Sequence, residues 1–161
     1  MEALAGFTAL QIAVAITATF AAAFVRGLAG FGMAILMVPV LALALTPVEA
    51  VLVTNFVALF LGLTEIRWIT RTAERSAWTL AGLVLLSTAP GLILLAATPR
   101  DLATFLIALV ALSAFGAILL PKRAADLPGR VNTVLTGVSS GLLTGFAGMP
   151  GPPVVPYYVG R

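Results

Sequence analysis

Residues 7–25, FTALQIAVAITATFAAAFV, form an apolar run that contains no charged side chain. A helix needs about 20 apolar residues to cross the hydrocarbon of a bilayer, so this run matches one membrane-spanning helix. The only charged side chain before Arg26 is Glu2. The run therefore lacks the basic residues that begin a signal peptide, and we predict a retained membrane helix here.

The composition favours the same class of protein for the whole chain. Of the 161 residues, 61% are hydrophobic and 9% are charged, whereas soluble domains carry about 25% charged residues. The apolar runs are continuous rather than alternating, which argues against a membrane β-barrel. The formal net charge is +3, but most basic residues lie in short connectors, which is not the pattern of a nucleic-acid-binding face. We predict an all-α, polytopic helical membrane protein that contacts the lipid bilayer and no nucleic acid.

Six apolar segments follow one another along the chain. Thr46 and Pro47 are typical of a helix start, as cap and first-turn proline. Ala-Pro-Gly at 89–91 predicts a break in the fourth segment, either a plain kink or the hinge of a gate. The second segment is short enough for a half-span and contains Pro39. The segments cover residues 7–25, 33–45, 47–66, 76–97 and 102–120, with a sixth from Val131 onward.

Two basic connectors predict the orientation in the membrane. Residues 67–75 hold three arginines, and residues 121–130 hold one lysine and two arginines. Cytoplasmic loops concentrate Lys and Arg, and two spans separate these connectors, so both lie on one side. We predict that 67–75 and 121–130 are cytoplasmic loops of a multi-pass protein of the cell (inner) membrane. Residues 98–101 are then outside, and the region of Arg26 is inside.

Two blocks rich in glycine and proline resemble each other. The first is VRGLAGFGMAILMVP at 25–39, and the second is LTGFAGMPGPPVVP at 143–156. Five crossings lie between the two starts, so the blocks belong to halves of opposite orientation. Breaks at matching positions of inverted halves are typical of the midplane site of a secondary transporter. The matching residues are Gly27, Ala29 and Gly30 with Gly145, Ala147 and Gly148, and Pro39 with Pro156 after a one-residue slip.

A break in a membrane helix frees backbone groups, which is tolerated where they face protein, water or a ligand. A helix that restarts after the break directs its N-terminal N–H groups at the gap, and such an end favours an anion. Glycines also permit close helix packing, so both interpretations stand for these blocks. Arg26 either sets topology or contacts the anion. Asn55, within a span, either bonds another helix or contacts substrate, while helix-dipole stabilisation is sufficient to explain Glu49.

The sequence contains no residues or motifs that are recognisable as the catalytic groups of an enzyme. The chain has no histidine and no cysteine, which removes thiol and imidazole chemistry. Paired carboxylates and a phosphate-binding GxxxxGK[ST] motif are also absent. We expect no catalytic residue, no metal and no cofactor, and no ATP-driven transport by this chain itself.

The ordered set of segments resembles the TauE/SafE family of sulfite exporters. The likeness rests on GLAGFGMAILMVPVL, then TPVEAVLVTNFVALFLGLTEIRW, the helix with Ala-Pro-Gly, and GLLTGFAGMPGPPVVP. The resemblance implies a permease of small sulfur-containing anions such as sulfite, thiosulfate or sulfonates, with two repeated halves. Here the halves are residues 1–130, with about five spans, and residues 131–161. The substrate-site role that it implies falls on Gly27, Gly30, Gly32, Pro39, Gly145, Gly148, Gly151 and Pro156, and residue chemistry adds Arg26 and Asn55.

The sequence departs from the family pattern in its second half. Members extend well beyond the second block, whereas residues 131–161 cover only the start of that half. Met149–Pro150 and Pro152–Pro153 replace glycines that are typical there. We expect the chain to continue in a longer product, or to act with a C-terminal half or a second copy. The leading function is a secondary anion transporter with a coupling proton or ion; the alternative is a non-transporting or degenerate membrane subunit that acts by assembly.

Overall fold

A computed structural model of the chain describes residues 8–29, 32–119, 130–150 and 154. These ranges form helices and contain no strand, which confirms the predicted all-α class. Four of the helices cover the long apolar segments predicted over residues 7–25, 47–66, 76–97 and 102–120. In chain order the helices are α1 (Ala9–Ala29), α2 (Met33–Ala44), α3 (Pro47–Thr72), α4 (Arg75–Ala97), α5 (Arg100–Leu119) and α6 (Arg130–Ala147).

Three of the described helices are long and apolar enough to cross a membrane, over Ala9–Leu28, Pro47–Thr72 and Ser76–Ala97. The outward surfaces of the bundle carry large apolar side chains. Lipid tails are as apolar as these side chains, so such surfaces are stable in a bilayer and prone to association in water. The architecture is that of a helical membrane protein. Side chains that are more than half exposed include Phe20, Phe24, Leu28, Leu43, Phe56, Leu85, Leu86 and Leu112.

The start of α3 is fixed by a capping box. The Glu49 amide donates to the Thr46 hydroxyl oxygen at 3.3 Å, and the Thr46 amide donates to the Glu49 carboxylate at 2.8 Å. Pro47 occupies the first turn, where its missing N–H costs nothing. The helix start predicted at Thr46 and Pro47 is confirmed, and Glu49 stabilises it by hydrogen bonding as well as by its charge.

Helix α2 is short and central. Its 12 residues span about 18 Å, too little to cross about 30 Å of hydrocarbon. Met37, Val38 and Leu41 have no exposed surface, because α2 packs against α1, α3 and α5. The short helix predicted over residues 33–45 is confirmed, and its C-terminal end lies beside the starts of α1 and α3.

Helices α4 and α6 form the most extensive helix pair. Gly137, Gly141 and Gly145 lie four residues apart on α6 and face α4. A Cβ atom at Gly141 would lie 2.6 Å from the Val84 carbonyl oxygen, and one at Gly145 would lie 2.6 Å from the Leu92 amide nitrogen. These distances are shorter than van der Waals contact, so only glycine lets the two backbones approach this closely.

The break predicted at residues 89–91 is wrong. Helix α4 is continuous, with Pro90 inside it. Proline removes one N–H, so only one carbonyl loses its helical partner, and a membrane helix tolerates this loss where a neighbouring helix packs beside it. A Cβ atom at Gly91 would lie 3.1 Å from the Gly145 Cα atom. The Ala-Pro-Gly sequence is therefore part of the contact between α4 and α6.

The loop predicted over residues 67–75 is wrong in its length. Helix α3 continues to Thr72, and only Ala73 and Glu74 separate it from α4. Its 26 residues span about 39 Å, which exceeds the hydrocarbon thickness of about 30 Å. The last turns of α3 thus carry their arginines beyond the hydrocarbon as helix. Residues 121–129 of the other basic connector lie outside the described residues.

Side-chain contacts define how the helices are directed. The Gln11 Nε2 atom donates to the Ala44 carbonyl oxygen at 2.7 Å, so α1 begins beside the end of α2. The Arg26 guanidinium contacts Glu65 in the C-terminal half of α3, so α1 ends there. The C-terminal end of α6 instead contacts Asn55, which lies in the N-terminal half of α3. The C-terminal ends of α1 and α6 therefore lie towards opposite ends of α3.

Candidate functional site

Helix α6 ends at a glycine that the structure requires. Gly148 has φ +69° and follows the last helical residue, Ala147, as a left-handed cap. Its amide donates to the Thr144 carbonyl oxygen at 3.0 Å, which closes the helix end. A Cβ atom at Gly148 would lie 2.9 Å from Val38 Cγ2 on α2. Both the backbone conformation and the approach of α2 therefore favour glycine here.

Asn55 links this helix end to α3. Its half-buried side chain donates from Nδ2 to the Thr144 carbonyl oxygen at 3.2 Å. The Asn55 Oδ1 atom lies 3.9 Å from the position of a Cβ atom at Gly148. The structure thus brings two predicted site residues together, from α3 and α6. The interhelix hydrogen bond of Asn55 is confirmed, while its contact with substrate stays a prediction.

The chain reverses direction after Gly148. The Ser140 hydroxyl, which is fully buried, donates to the Pro150 carbonyl oxygen at 2.8 Å. Met149 between them is also buried. Since Ser140 lies about 10 Å back along α6 from its end, residues 148–150 fold back against that helix. We call Val38, Thr54, Asn55, Thr144 and Gly148 the α2–α3–α6 junction.

The junction is uncharged and lies beside an apolar stretch of α3. Asn55 is eight residues beyond Pro47, about 12 Å along α3, and so lies inside the stretch Pro47–Thr72 that is long and apolar enough to cross a membrane. The five junction residues supply hydroxyl, amide and backbone groups but no ionisable side chain. Within the described residues there is no group of three or more acidic, histidine or cysteine residues that would hold a metal ion. The site offers hydrogen bonds and no proton-transfer or metal chemistry of its own.

Helix α2 also begins on a glycine in the left-handed region. Gly32 is the N-cap residue, with φ 92°, and no side chain caps the first turn of α2. The Leu36 amide is the first to bond back to it, with its nitrogen 3.4 Å from the Gly32 carbonyl oxygen. The first-turn amides of α2 precede that bond, so this end carries the partial positive charge of a helix N-terminus. Pro39 lies half-buried within α2 and does not interrupt it.

Arg26 lies away from the junction. Its Nη2 atom donates to Glu65 Oε2 at 2.9 Å. Glu65 is ten residues beyond Asn55 on α3, a distance of about 15 Å along the helix axis. Gly27, next to Arg26, is exposed and has no atom near the position of a Cβ. The predicted site residues therefore separate into the junction and a second group at the end of α1.

The remaining predicted site residues have separate positions. Gly145 is buried in the contact of α6 with α4, where packing accounts for its small size. Gly30, Gly151 and Pro156 lie outside the described residues. Thr144, Ser140 and Glu65 form contacts that the sequence analysis did not single out. Ser140 and Thr144 stand four residues apart on α6, a spacing that places both on one helix face.

A cleft of about 290 Å³ opens between α4, α5 and α6. Among the described residues that line it, Thr98 has the one polar side chain, and its hydroxyl already donates to the Leu94 carbonyl oxygen at 2.7 Å. An oxyanion would find no free donor there, so this cleft is not the candidate site. Its lining residues are Leu94, Thr98, Leu102, Leu106, Leu142, Leu143 and Phe146.

A helical bundle with apolar outer faces and an uncharged polar junction between its helices is the architecture of a helical membrane protein. The chain belongs to the sulfite exporter TauE/SafE family, whose model matches residues 15–160. No curated protein and no solved structure matches it significantly. The family is one of transporters, so an anion is the class of solute that it indicates.

Proposed function

We propose that this protein is a secondary transporter of small sulfur-containing anions, such as sulfite, thiosulfate or sulfonates, in the cell (inner) membrane. The α2–α3–α6 junction lines the substrate path. The observation that carries this proposal is the end of α6 at Gly148, within the membrane depth and beside the Asn55 amide. A helix that ends there presents backbone and amide groups where a continuous helix presents none.

The chemistry of the junction suits an anion that must bind and leave again. An asparagine amide has two N–H donors, and one of them bonds the Thr144 carbonyl oxygen. The second has no acceptor among the residues that the structure describes, and in this proposal it binds an oxyanion oxygen. Neutral donors bind an anion less tightly than a buried cation does, so release into the opposite compartment costs less.

The proposal includes two inverted halves that alternate in access. Support comes from the C-terminal parts of α1 and α6, which carry the matched Gly-x-Ala sequences of the two blocks at 27–29 and 145–147. These ends also lie towards opposite ends of α3. In this arrangement residues 1–130 form one half and 131–161 begin the other, with a C-terminal half or a second copy completing the path and a proton or ion coupling the movement. The family match does not favour a non-transporting subunit.

Asn55→Ala tests the junction as the substrate path. The native protein is reconstituted into liposomes, and uptake of radiolabelled sulfite and thiosulfate is measured. We expect the anion affinity to fall at least tenfold, about 1.4 kcal/mol, because a donor to the oxyanion is lost. Thr64→Ala is the matched control, since Thr64 is an exposed polar residue of α3 whose hydroxyl donates to the Leu61 carbonyl oxygen at 2.7 Å.

A separate measurement distinguishes binding from folding. Sulfite raises the melting temperature of the wild type if it binds only the folded state, and this rise shrinks in Asn55→Ala. Asn55→Ala also removes the bond to Thr144, so its own melting temperature falls modestly. Unchanged affinity together with a lower melting temperature would assign Asn55 a purely structural role and remove the junction from the path.

A further inference from the structure

Glu65 is a charged side chain that the proposed function leaves without a task. Its carboxylate accepts a hydrogen bond from Arg26 Nη2 at 2.9 Å, across two helices and 39 positions of sequence. The Arg26 side chain is 27% exposed and the Glu65 side chain is 48% exposed. Helix α1 packs chiefly on α2, so this ion pair reaches past α2 to α3. A solute at the end of α1 would meet both side chains.

A guanidinium binds carboxylates and other oxyanions through the same N–H donors. While Glu65 holds Arg26, the cation beside the first glycine block is neutralised by a group of this chain. Partly exposed ion pairs contribute little to stability, because water competes for both partners. A dissolved oxyanion at sufficient concentration can therefore compete with the Glu65 carboxylate for the Arg26 guanidinium.

We propose that Glu65 acts as a built-in competitor of the transported anion: its carboxylate occupies Arg26 until an incoming oxyanion displaces it, and returns when the oxyanion moves on. This inference rests on the proposed anion transport. Displacement is possible because Glu65 is the more exposed partner, so its carboxylate is readily hydrated when it leaves Arg26.

The position of the pair fits an exchange step at one end of the path. Glu65 lies about 15 Å along α3 from Asn55, so an anion at Arg26 has yet to reach the junction. A permanently free arginine there would attract an anion and also retain it, whereas conduction requires release. A carboxylate that returns to Arg26 supplies that release. Glu65 thus sets the affinity for Arg26 that any incoming anion must exceed.

The test compares anion affinity in Glu65→Gln, Arg26→Gln, the double variant and the wild type. The native protein is used in liposomes for the KM of sulfite and thiosulfate uptake. In detergent, the melting-temperature shift is measured with sulfite, thiosulfate, sulfate, phosphate, nitrate and chloride. Arg67→Gln is the matched control, because Arg67 lies two residues from Glu65 on the same helix and makes no part of the pair. We expect Arg67→Gln to behave as the wild type.

We expect Glu65→Gln to lower KM about threefold to tenfold, because the competitor is gone. Arg26→Gln raises KM by a similar factor, and the double variant behaves as Arg26→Gln, since Glu65 acts only through Arg26. If Glu65→Gln raises KM as Arg26→Gln does, the carboxylate merely positions Arg26 and the competitor role is wrong. An effect of Glu65→Gln that persists without Arg26 would overturn it equally.

The two proposals fail in different ways. If sulfite and thiosulfate are transported but Glu65→Gln leaves their KM unchanged, anion transport stands and the role of Glu65 is refuted. If neither sulfur anion binds, but another anion of the panel stabilises Glu65→Gln more than the wild type in an Arg26-dependent manner, the competitor role stands and the sulfur substrate is wrong. If no anion stabilises the wild type or Glu65→Gln, both proposals are overturned.

Discussion

The C-terminal parts of α1 and α6 carry one short pattern, Gly-x-Ala, at positions 118 residues apart. The two glycines nevertheless have different surroundings. A Cβ atom at Gly27 would meet nothing within 4 Å, whereas one at Gly145 would collide with the backbone of α4. The same short pattern therefore occurs in both helices, but only the neighbouring helix determines whether a glycine is required there.

The residues that precede these glycines differ in the same way. Arg26 and Thr144 occupy matched positions, one residue before Gly27 and Gly145. Arg26 reaches α3 with a charged side chain, and Thr144 reaches it with its backbone carbonyl oxygen. Both helix ends are therefore tied to α3, one by an ion pair and the other by a neutral hydrogen bond within the membrane depth. A charged side chain is tolerated only at the more exposed of the two ends, because a charge within the membrane is costly.

Gly145→Ala and Gly27→Ala test this difference with the same chemical change. Overpacking usually costs about 1–3 kcal/mol. The atoms that a Cβ would meet at Gly145 belong to the α4 backbone and cannot rotate away, so we expect a loss of about 3 kcal/mol or more. Gly27→Ala adds a good helix former in open space, so stability stays the same or rises by up to about 1 kcal/mol. Thermal unfolding in detergent measures both, and equal losses would show that the two glycines have equivalent surroundings.

Gly148→Ala has a smaller expected effect and sharpens the account of the α6 end. A residue with Cβ in the left-handed region costs about 1–2 kcal/mol, and the new methyl group also presses on Val38 Cγ2. Val38→Ala removes that contact, so the double variant should lose less stability than the sum of the single variants. The coupling is expected at about 0.5–1 kcal/mol. Strict additivity in thermal unfolding would mean that α2 does not press on Gly148.

Thr70→Cys and Thr98→Cys should have the least effect on stability. These variants test on which side of the membrane the corresponding helix ends lie. Thr70 lies on the last turns of α3, beyond the Arg26–Glu65 pair, and Thr98 caps α4 near the end of α6. The sequence contains no other cysteine. A membrane-impermeant thiol reagent added to intact cells should label the cysteine at 98 and not that at 70, because the arginines of residues 67–75 are predicted to be cytoplasmic. The reverse result would invert the predicted orientation.

The helices could be predicted from the sequence because lipid imposes a simple rule: long uncharged runs become helices. The short α2 and the helix start at Thr46 could also be predicted, because both depend on residues that are close together in the sequence. The continuity of α4 at Pro90 was not, since it depends on α6 packing beside Gly91, a contact between distant segments. The helical end of α3 could not be predicted from its arginines alone. Arginines indicate a connector at the membrane surface, but arginine is also a good helix former.

The site was predictable only in part. Asn55 and Gly148 were singled out by residue type, and the structure brings them together through Thr144. The substrate role of all ten predicted residues remains a prediction. The separation of Arg26 from the junction depends on which helix faces which, and the pairing with Glu65 depends on the register of α1 against α3. Neither follows from spacing within one segment.

The close contact of α4 and α6 has a consequence for synthesis. Helix α6 carries several polar side chains, among them Thr136, Ser140 and Thr144, so its own transfer into lipid is weakly favourable. Its place in the bilayer depends on van der Waals contact with the α4 backbone through the glycines. Since α4 precedes α6 in the chain, the ribosome delivers the partner first. Translation order thus provides α6 with a surface to join when it emerges.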